Sequence, residues 1–279
     1  MPARNDLAVA FREQLTGGCR LLVDPEFEDA VRALDLPDPA VRERLFSDSR
    51  AAVGRSGTAI VALPGRSERL HLRPVLHGGA LARAWGSRLL GLGRPISELR
   101  VSAALRAKGA PVPRPILVFG WRASPLWSAL LATLHIEGAR DGVAWLADTR
   151  EADAITAGAS AAGHAIRRFH DVGGRHADLH VKNLLLRATE DGVEAFVIDL
   201  DKARADPGPT PKRRMLELAR LYRSLRKRGL LEQIGERGQA AFLAAYLDGD
   251  AALGRALLSH WPAERRRVSR HTLGYGASR

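Results

Sequence analysis

A single cysteine, Cys19, stands in a chain of 279 residues. No internal disulfide framework and no multi-cysteine metal site can be built from it. Aromatic residues make up only 5% of the sequence. No basic stretch interleaves them in the manner of a base-stacking surface, and no zinc-ligand spacing occurs, so no nucleic-acid partner is expected. Long apolar runs are missing too. Residues 126–134 and 240–247 are the longest, against the roughly 20 residues that a membrane helix needs. The N-terminus shows no basic start followed by an apolar core and a small-residue cleavage site, so no secretory signal is expected and the cytoplasm is the default compartment. Acidic residues are in deficit, 31 against 43 basic ones, giving a net charge of +12 and a pI near 10.9. That field suits an anionic partner such as a nucleic acid, an acidic membrane surface or a phosphorylated substrate. An Ala/Arg/Gly-rich composition with solvated arginines gives the same excess, so charge alone does not choose among them.

Hydrophobic residues form 46% of the chain and charged ones 27%, a globular balance with enough length for one large domain or two lobes. Residues 1–50 are polar with short apolar pieces and read as an N-terminal extension packed on a first lobe. That lobe covers 51–137. Residues 58–63 alternate as a strand, Pro64 to Ser67 make a turn, and 69–73 form the next strand. Residues 95–108 read as a helix with Pro95 at its start, Leu99, Ala103 and Leu105 buried, and Gly109 at its end. Three prolines (111, 113, 115) hold the chain extended before strands at 116–119 and 130–136. A second lobe spans 138–279: a helix at 152–170, a β-hairpin, then a run of helices. The order is α+β in two lobes, not a regular alternation of strand and helix. In the basic stretch 211–228, Leu216, Leu218, Leu221 and Leu225 read as core. Residues 79–93 read either as a basic amphipathic helix at a membrane or lipid or as a helix packed on its own lobe.

Residues 176–201 carry the chemistry. Asp178 and Asn183 lie five positions apart, an apolar run follows (Leu184 to Leu186), Asp191-Gly192 turns the chain, and a second apolar strand (Ala195 to Ile198) delivers Asp199. Taken singly, Asp178 could cap a turn, Asn183 fix a loop and Asp199 end a strand. Their joint spacing, with apolar strands between, is the layout of a phosphotransfer site of the protein-kinase kind. One carboxylate orients an acceptor hydroxyl and takes its proton. An amide oxygen and a second carboxylate offer the hard ligands that magnesium prefers. His176 is expected to hold the loop through backbone hydrogen bonds, His180 either to approach the transferred phosphate or to shape the loop, and His170 to cap a helix. Gly54 and Gly57 could bring backbone N–H groups over phosphates, although any β-turn looks like this. Arg73 shares a strand face with His71 and could contact ATP phosphates, with Glu98 as its ion-pair partner; a surface arginine and a glutamate favoured by a helix N-terminus would look the same.

At these residues the chain resembles the bacterial lipopolysaccharide kinase family, specifically its kinases of 3-deoxy-D-manno-octulosonic acid (Kdo). The resemblance rests on IRRFHDVGGRHADLHVKNLLL, VIDLDKAR, LHLRPVLHGG, ALRAKGAPVPRP and LARLYRSLRK, and covers roughly residues 51–228. It implies a protein-kinase-like fold, ATP and Mg2+ as cofactors, and phosphorylation of a Kdo hydroxyl on the lipid A precursor at the cytoplasmic face of the inner membrane. The partner implied is an anionic glycolipid or sugar acceptor, with peripheral membrane contact and no obligate protein partner. By motif, Asp178 is the catalytic base, Asn183 and Asp199 are magnesium ligands, Arg73 is the phosphate-contacting cation with Glu98 as its helix partner, and Leu134, His135 and Ile136 form the adenine-side hinge. The chain departs from the family pattern at His180, where Asn is common, and at Leu200, where Phe is. Ala177 replaces the arginine of many regulated protein kinases, which argues against control by activation-loop phosphorylation. A heptose kinase of the same family and a soluble aminoglycoside- or choline-type kinase are the competing readings. A catalytically dead nucleotide-binding scaffold is a third.

Overall fold

The computed structural model describes residues 11–53, 57–76, 88–123, 125–205 and 208–276. Gly54 and most of the segment 79–93 lie outside them. The chain gathers into two compact units, one running to Ala107 and including Pro113–Ile136, the other made of Lys108–Val112 and everything from Glu137 onward.

The first unit is built on a six-stranded antiparallel sheet in the order β1-β2-β5-β6-β4-β3. Its strands are β1 (Arg12–Thr16), β2 (Cys19–Val23), β3 (Ala59–Ala62), β4 (Arg69–Pro74), β5 (Pro115–Ala123) and β6 (Leu126–Leu134). Residues 12–23, read from sequence only as part of an extension, supply two of these strands. The polar β1 shows no apolar alternation, and β2 gains its place by pairing along β5 from Cys19–Trp121 to Val23–Leu117. Because side chains alternate across a strand, each strand feeds two cores. Val23, Leu70, Leu72, Leu117 and Phe119 face one side, where Phe27, Val31 and Leu36 cover them. Leu22, Val118, Ala129 and Leu131 face the other, where Leu92, Ile96 and Leu99 cover them. Of these, Ile96 and Leu99 lie on helix α3 (Gly93–Ala107). Helices α1 (Glu28–Arg32) and α2 (Pro39–Val53) precede it. Gly109, at φ +88°, follows α3 where a side chain would meet the Arg168 guanidinium.

The second unit carries the hairpin β9 (Leu184–Thr189) and β10 (Gly192–Val197), with β7 (Arg140–Asp141) along the far side of β9. Leu184 and Leu186 point into the core and so do Ala195 and Val197, in strand alternation. A two-residue ladder joins β8 (Gly174–Arg175) to β11 (Arg204–Ala205). Helices α4 (Gly142–Asp148), α5 (Ala152–Asp171), α6 (Pro211–Lys227), α7 (Leu230–Leu247) and α8 (Ala251–Gly276) complete it. Helix α5 owes its burial to an apolar stripe of Ile155, Ala162, Ile166 and Phe169. It approaches α7 so closely that a Cβ on Gly163 would lie 2.4 Å from the Phe242 carbonyl oxygen. Helix α6 starts on Pro211 behind a Thr210 cap, whose hydroxyl accepts from the Arg213 N–H at 3.4 Å. Its buried face differs from the leucine stripe expected. Arg214, Met215, Glu217, Ala219, Leu221 and Ser224 are buried, while Leu218 and Leu225 line an apolar cavity of about 510 Å³ together with Trp145, Leu221, Phe242 and Leu258.

Candidate active site

In the second unit, the chain leaves β8 at His176, passes Asp178, makes one 3-10 turn over Val181–Asn183, and enters β9. Residues 176–183 have no ladder to satisfy their backbone groups, which must therefore find other partners. His176 supplies two of them. Its Nδ1 accepts from the Asp178 N–H at 3.1 Å, and its Nε2 lies 2.9 Å from the Ile198 carbonyl oxygen. A carbonyl only accepts, so Nε2 carries the proton and the ring is neutral. Burial pushes its pKa down, in keeping with that form. One imidazole thus ties the Asp178 loop to the segment that delivers Asp199, which is the backbone-holding role expected of it.

Asn183 is buried, and its Nδ2 donates to the Asp178 carbonyl at 2.9 Å. The carbonyl fixes which way the amide points, and Oδ1 is left with no internal partner among the described residues. The Asn183 carbonyl accepts from the Ile198 N–H at 3.0 Å, and the Pro111 carbonyl accepts from the Val197 N–H at 2.8 Å. Asp199 therefore follows a segment clamped on both sides. It takes a left-handed backbone, φ +61°, uncommon outside glycine and tolerated best by Asn and Asp. Asp178 is different: its side chain is 79% exposed, with His180 Nε2 at 3.8 Å from Oδ2. The spacing that groups these three residues in sequence corresponds to direct backbone and side-chain ties among their segments. An amide oxygen and a carboxylate are hard donors, and two of them suit a cation that takes its remaining ligands from phosphate and water. Among the described residues no cluster of three or more His, Cys, Asp or Glu side chains could hold a metal by itself.

In the first unit, β4 presents His71 and Arg73 on the face that α3 covers, opposite Leu70 and Leu72. Arg73 donates to Glu98 of α3 at 2.5 Å, and Glu98 is only 4% exposed. The pair is a buried carboxylate with a half-exposed cation, not two surface charges. Burial first, then the charge of Arg73 and that of His135, lowers the His71 pKa to about 4. The His135 N–H donates to the Arg69 carbonyl at 2.8 Å just past β6, and Ile136 follows. Gly57 turns at φ +62° with open space where a Cβ would lie.

Sequence reasoning missed Glu217. Its Oε2 accepts from the His176 N–H at 2.8 Å and faces His170 Nε2 at 3.2 Å. Two turns along the same face of α6, Ser224 Oγ accepts from the Val181 N–H at 3.3 Å. The signal was an acidic residue in the buried stripe of an otherwise basic helix. His170, expected as a helix cap, is instead fully buried between Glu217 and the Tyr246 hydroxyl.

A six-stranded antiparallel sheet with helices packed on its two faces, followed by a mainly helical unit carrying a loop-and-hairpin Asp/Asn/Asp arrangement, defines a protein-kinase-like fold. A solved structure described as WaaP in complex with acyl carrier protein shares it, with a TM-score of 0.52 at 20% identity over 90% of this chain and 98% of that one. The sequence model of the lipopolysaccharide kinase (Kdo/WaaP) family matches residues 52–246, and the chain belongs to that family. Similar proteins include 3-deoxy-D-manno-octulosonic acid kinases. That of Stenotrophomonas maltophilia (strain R551-3) is 36% identical over 56% of this chain, that of Xanthomonas euvesicatoria pv. vesicatoria (strain 85-10) 35% over 63%, and that of Vibrio vulnificus (strain YJ016) 29% over 77%. The matched region spans 61% of the Stenotrophomonas protein, 68% of the Xanthomonas one and 88% of the Vibrio one.

Proposed function

We propose that this chain is an ATP-dependent sugar kinase that phosphorylates a Kdo hydroxyl of the lipid A–Kdo precursor during assembly of the lipopolysaccharide inner core. The observation that carries the reading is the joining of the Asp178, Asn183 and Asp199 segments through the His176 ring and the Asn183 amide, in a chain whose relatives include Kdo kinases. Asp178 is the base. Its exposed carboxylate accepts the hydroxyl proton as the oxygen attacks the γ-phosphorus, and the bond from that phosphorus to the ADP oxygen breaks. Asn183 and Asp199 hold magnesium, which when bound offsets charge on the phosphates. Arg73, held by Glu98, binds phosphate oxygens; the sequence positions Gly54 and Gly57 are assigned to the phosphates, and His135 and Ile136 to the adenine side. The acceptor is an anionic glycolipid, and the net charge of +12 suits peripheral contact with the cytoplasmic face of the inner membrane. No described helix is long and apolar enough to cross a membrane.

The test is an acceptor screen with ATP and magnesium. Phosphate on Kdo of the lipid A precursor is the expected product. Transfer to heptose in its place moves the assignment within the family, and transfer only to a soluble amino-sugar overturns the glycolipid reading.

A second reading concerns partners. The cavity bounded by α4 to α8 is almost wholly apolar, and at about 510 Å³ it is of ligand-binding size. We infer that it receives an acyl chain, as a carrier protein of the kind that accompanies WaaP would deliver. Native mass spectrometry of the purified chain should find an acylated carrier. Recovery of the bare chain, with no gain in thermal stability on adding acylated carrier, would remove this partner.

A further inference from the structure

Four fully buried polar residues form a continuous line through the second unit, its last link running through the His176 backbone N–H. They are Tyr246 on α7, His170 on α5, Glu217 on α6 and His176 in the loop. Their protons can be placed by elimination. Glu217 Oε2 accepts from the His176 N–H, so it is a carboxylate oxygen free to accept again from His170 Nε2, 3.2 Å away. The single proton of a neutral His170 is then on Nε2, and its Nδ1 must accept. The group facing Nδ1 at 2.7 Å is the Tyr246 hydroxyl, which therefore donates. Burial lowers the His170 pKa and raises that of Tyr246 to about 12, both in the direction of these forms. The line ends where the loop begins: His176 Nδ1 accepts from the Asp178 N–H.

Each donor in this line has one acceptor and each ring nitrogen one partner. Reversing any link leaves a buried group unsatisfied, so the line admits one arrangement. Apolar residues of equal volume would fill the same space at least as stably. What the polar line supplies is a fixed position for the backbone at 176–178. Tyr246 is also part of the wall of the apolar cavity, its ring stacked on Phe242 at 6.3 Å and set edge-on to His170 at 5.8 Å.

We propose that Tyr246 and His170, acting through Glu217 and His176, are positioning residues for Asp178, so that one wall of the apolar cavity and the catalytic loop are mechanically one piece. The proposal rests on the reading of Asp178 as the base. Tyr246→Phe tests it, because it removes one hydroxyl and leaves the ring packing in place. Amide hydrogen exchange across residues 176–183 should quicken about tenfold, the size expected when a buried hydrogen-bond partner is lost, while the β9–β10 hairpin exchanges as before. In turnover, kcat should fall by a similar factor with KM for ATP unchanged. A lower melting temperature with uniform exchange and an unaltered kcat would mean that the hydroxyl serves packing alone, and would overturn the proposal. Glu217→Gln, equal in size, reads the same amides if the tyrosine variant does not fold. The exchange measurement needs no acceptor. A protein that phosphorylates nothing in the screen therefore sinks the functional reading without deciding this one, and unchanged exchange in an active enzyme does the reverse.

Discussion

Arg73 and Asp178 are held in place by opposite means. Arg73 rides on a strand whose neighbours on both sides continue the ladder and whose two faces are closed by leucines, valines and phenylalanine. The backbone is fixed before the arginine is considered, and the buried carboxylate of Glu98 helps to aim it. Asp178 sits in a loop with no ladder. Its backbone is fixed by His176, by the Asn183 amide and, one step back, by Glu217 and Ser224 on α6. The comparison teaches that a side chain on regular structure inherits its position from apolar packing, whereas one on a loop needs a dedicated set of buried polar partners. Errors should accordingly be tolerated differently in the two units.

The sharpest break is Asp178→Ala. Its side chain is mostly exposed, so the melting temperature should stay put while phosphotransfer drops about a thousandfold, within the usual span for a general base; a variant retaining even a tenth of wild-type turnover would strip Asp178 of that role. Next comes a pair of leucines. Leu99→Ala in the closed core of the first unit should cost about 3 kcal/mol, whereas Leu218→Ala at the cavity wall should cost nearer ~1 kcal/mol because space is already there. Denaturant titrations giving equal losses would show that the cavity is closed in solution. Arg73→Met should raise KM for ATP by roughly tenfold or more, the worth of a charge-assisted hydrogen bond, and lower stability as well by leaving buried Glu98 without that cation. Steady-state kinetics with an unmoved KM would detach Arg73 from the nucleotide. The gentlest probe is pH. His71, His170 and His176 are all held below the ordinary histidine value of 6.5 by burial, His71 at about 4. Between the folded and unfolded values the unfolded chain binds more protons, so the stabilisation is complete above pH 6.5 and drains away as pH falls below it, for His71 until about pH 4 and by up to about 1.4 kcal/mol per pH unit. Thermal melts at pH 7, 6 and 5 should step downward, and His71→Gln should flatten only the share that belongs to the first unit.

Much of the fold was legible in the order of strands and helices, because the patterns that reveal it are local. The strands at 59–62 and 69–74, the helix ending before Gly109, and the hairpin around Asp191-Gly192 each announce themselves by alternation, proline or glycine. Strand β1 did not, since its side chains are largely exposed and its apolar content is too thin to alternate. The residues proposed for chemistry stood out as a linear motif. What secures them did not. Glu217 lies 41 positions from His176, and Tyr246 lies 76 from His170. No periodicity connects residues so far apart, and a tyrosine in an apolar run or a glutamate in a basic helix looks ordinary until the helices are packed. Leu221 of α6 is core as expected, but Leu218 and Leu225 misled for a related reason: a 3.6-residue stripe reports an apolar face, not whether that face meets another side chain or open space.

Gly163 has a consequence beyond close helix packing. It lets α7 lie against α5 with the Phe242 carbonyl nearly touching its Cα side, and Ala245 and Tyr246 are the next groups in contact. Adding a single methyl there would lever α7 outward at the very register that brings the tyrosine hydroxyl to its imidazole. A substitution that touches no charged group, and lies outside the acidic motif, would thereby unlatch the loop from behind. The smallest residue of a helix thus sets the distance on which the proposed line depends.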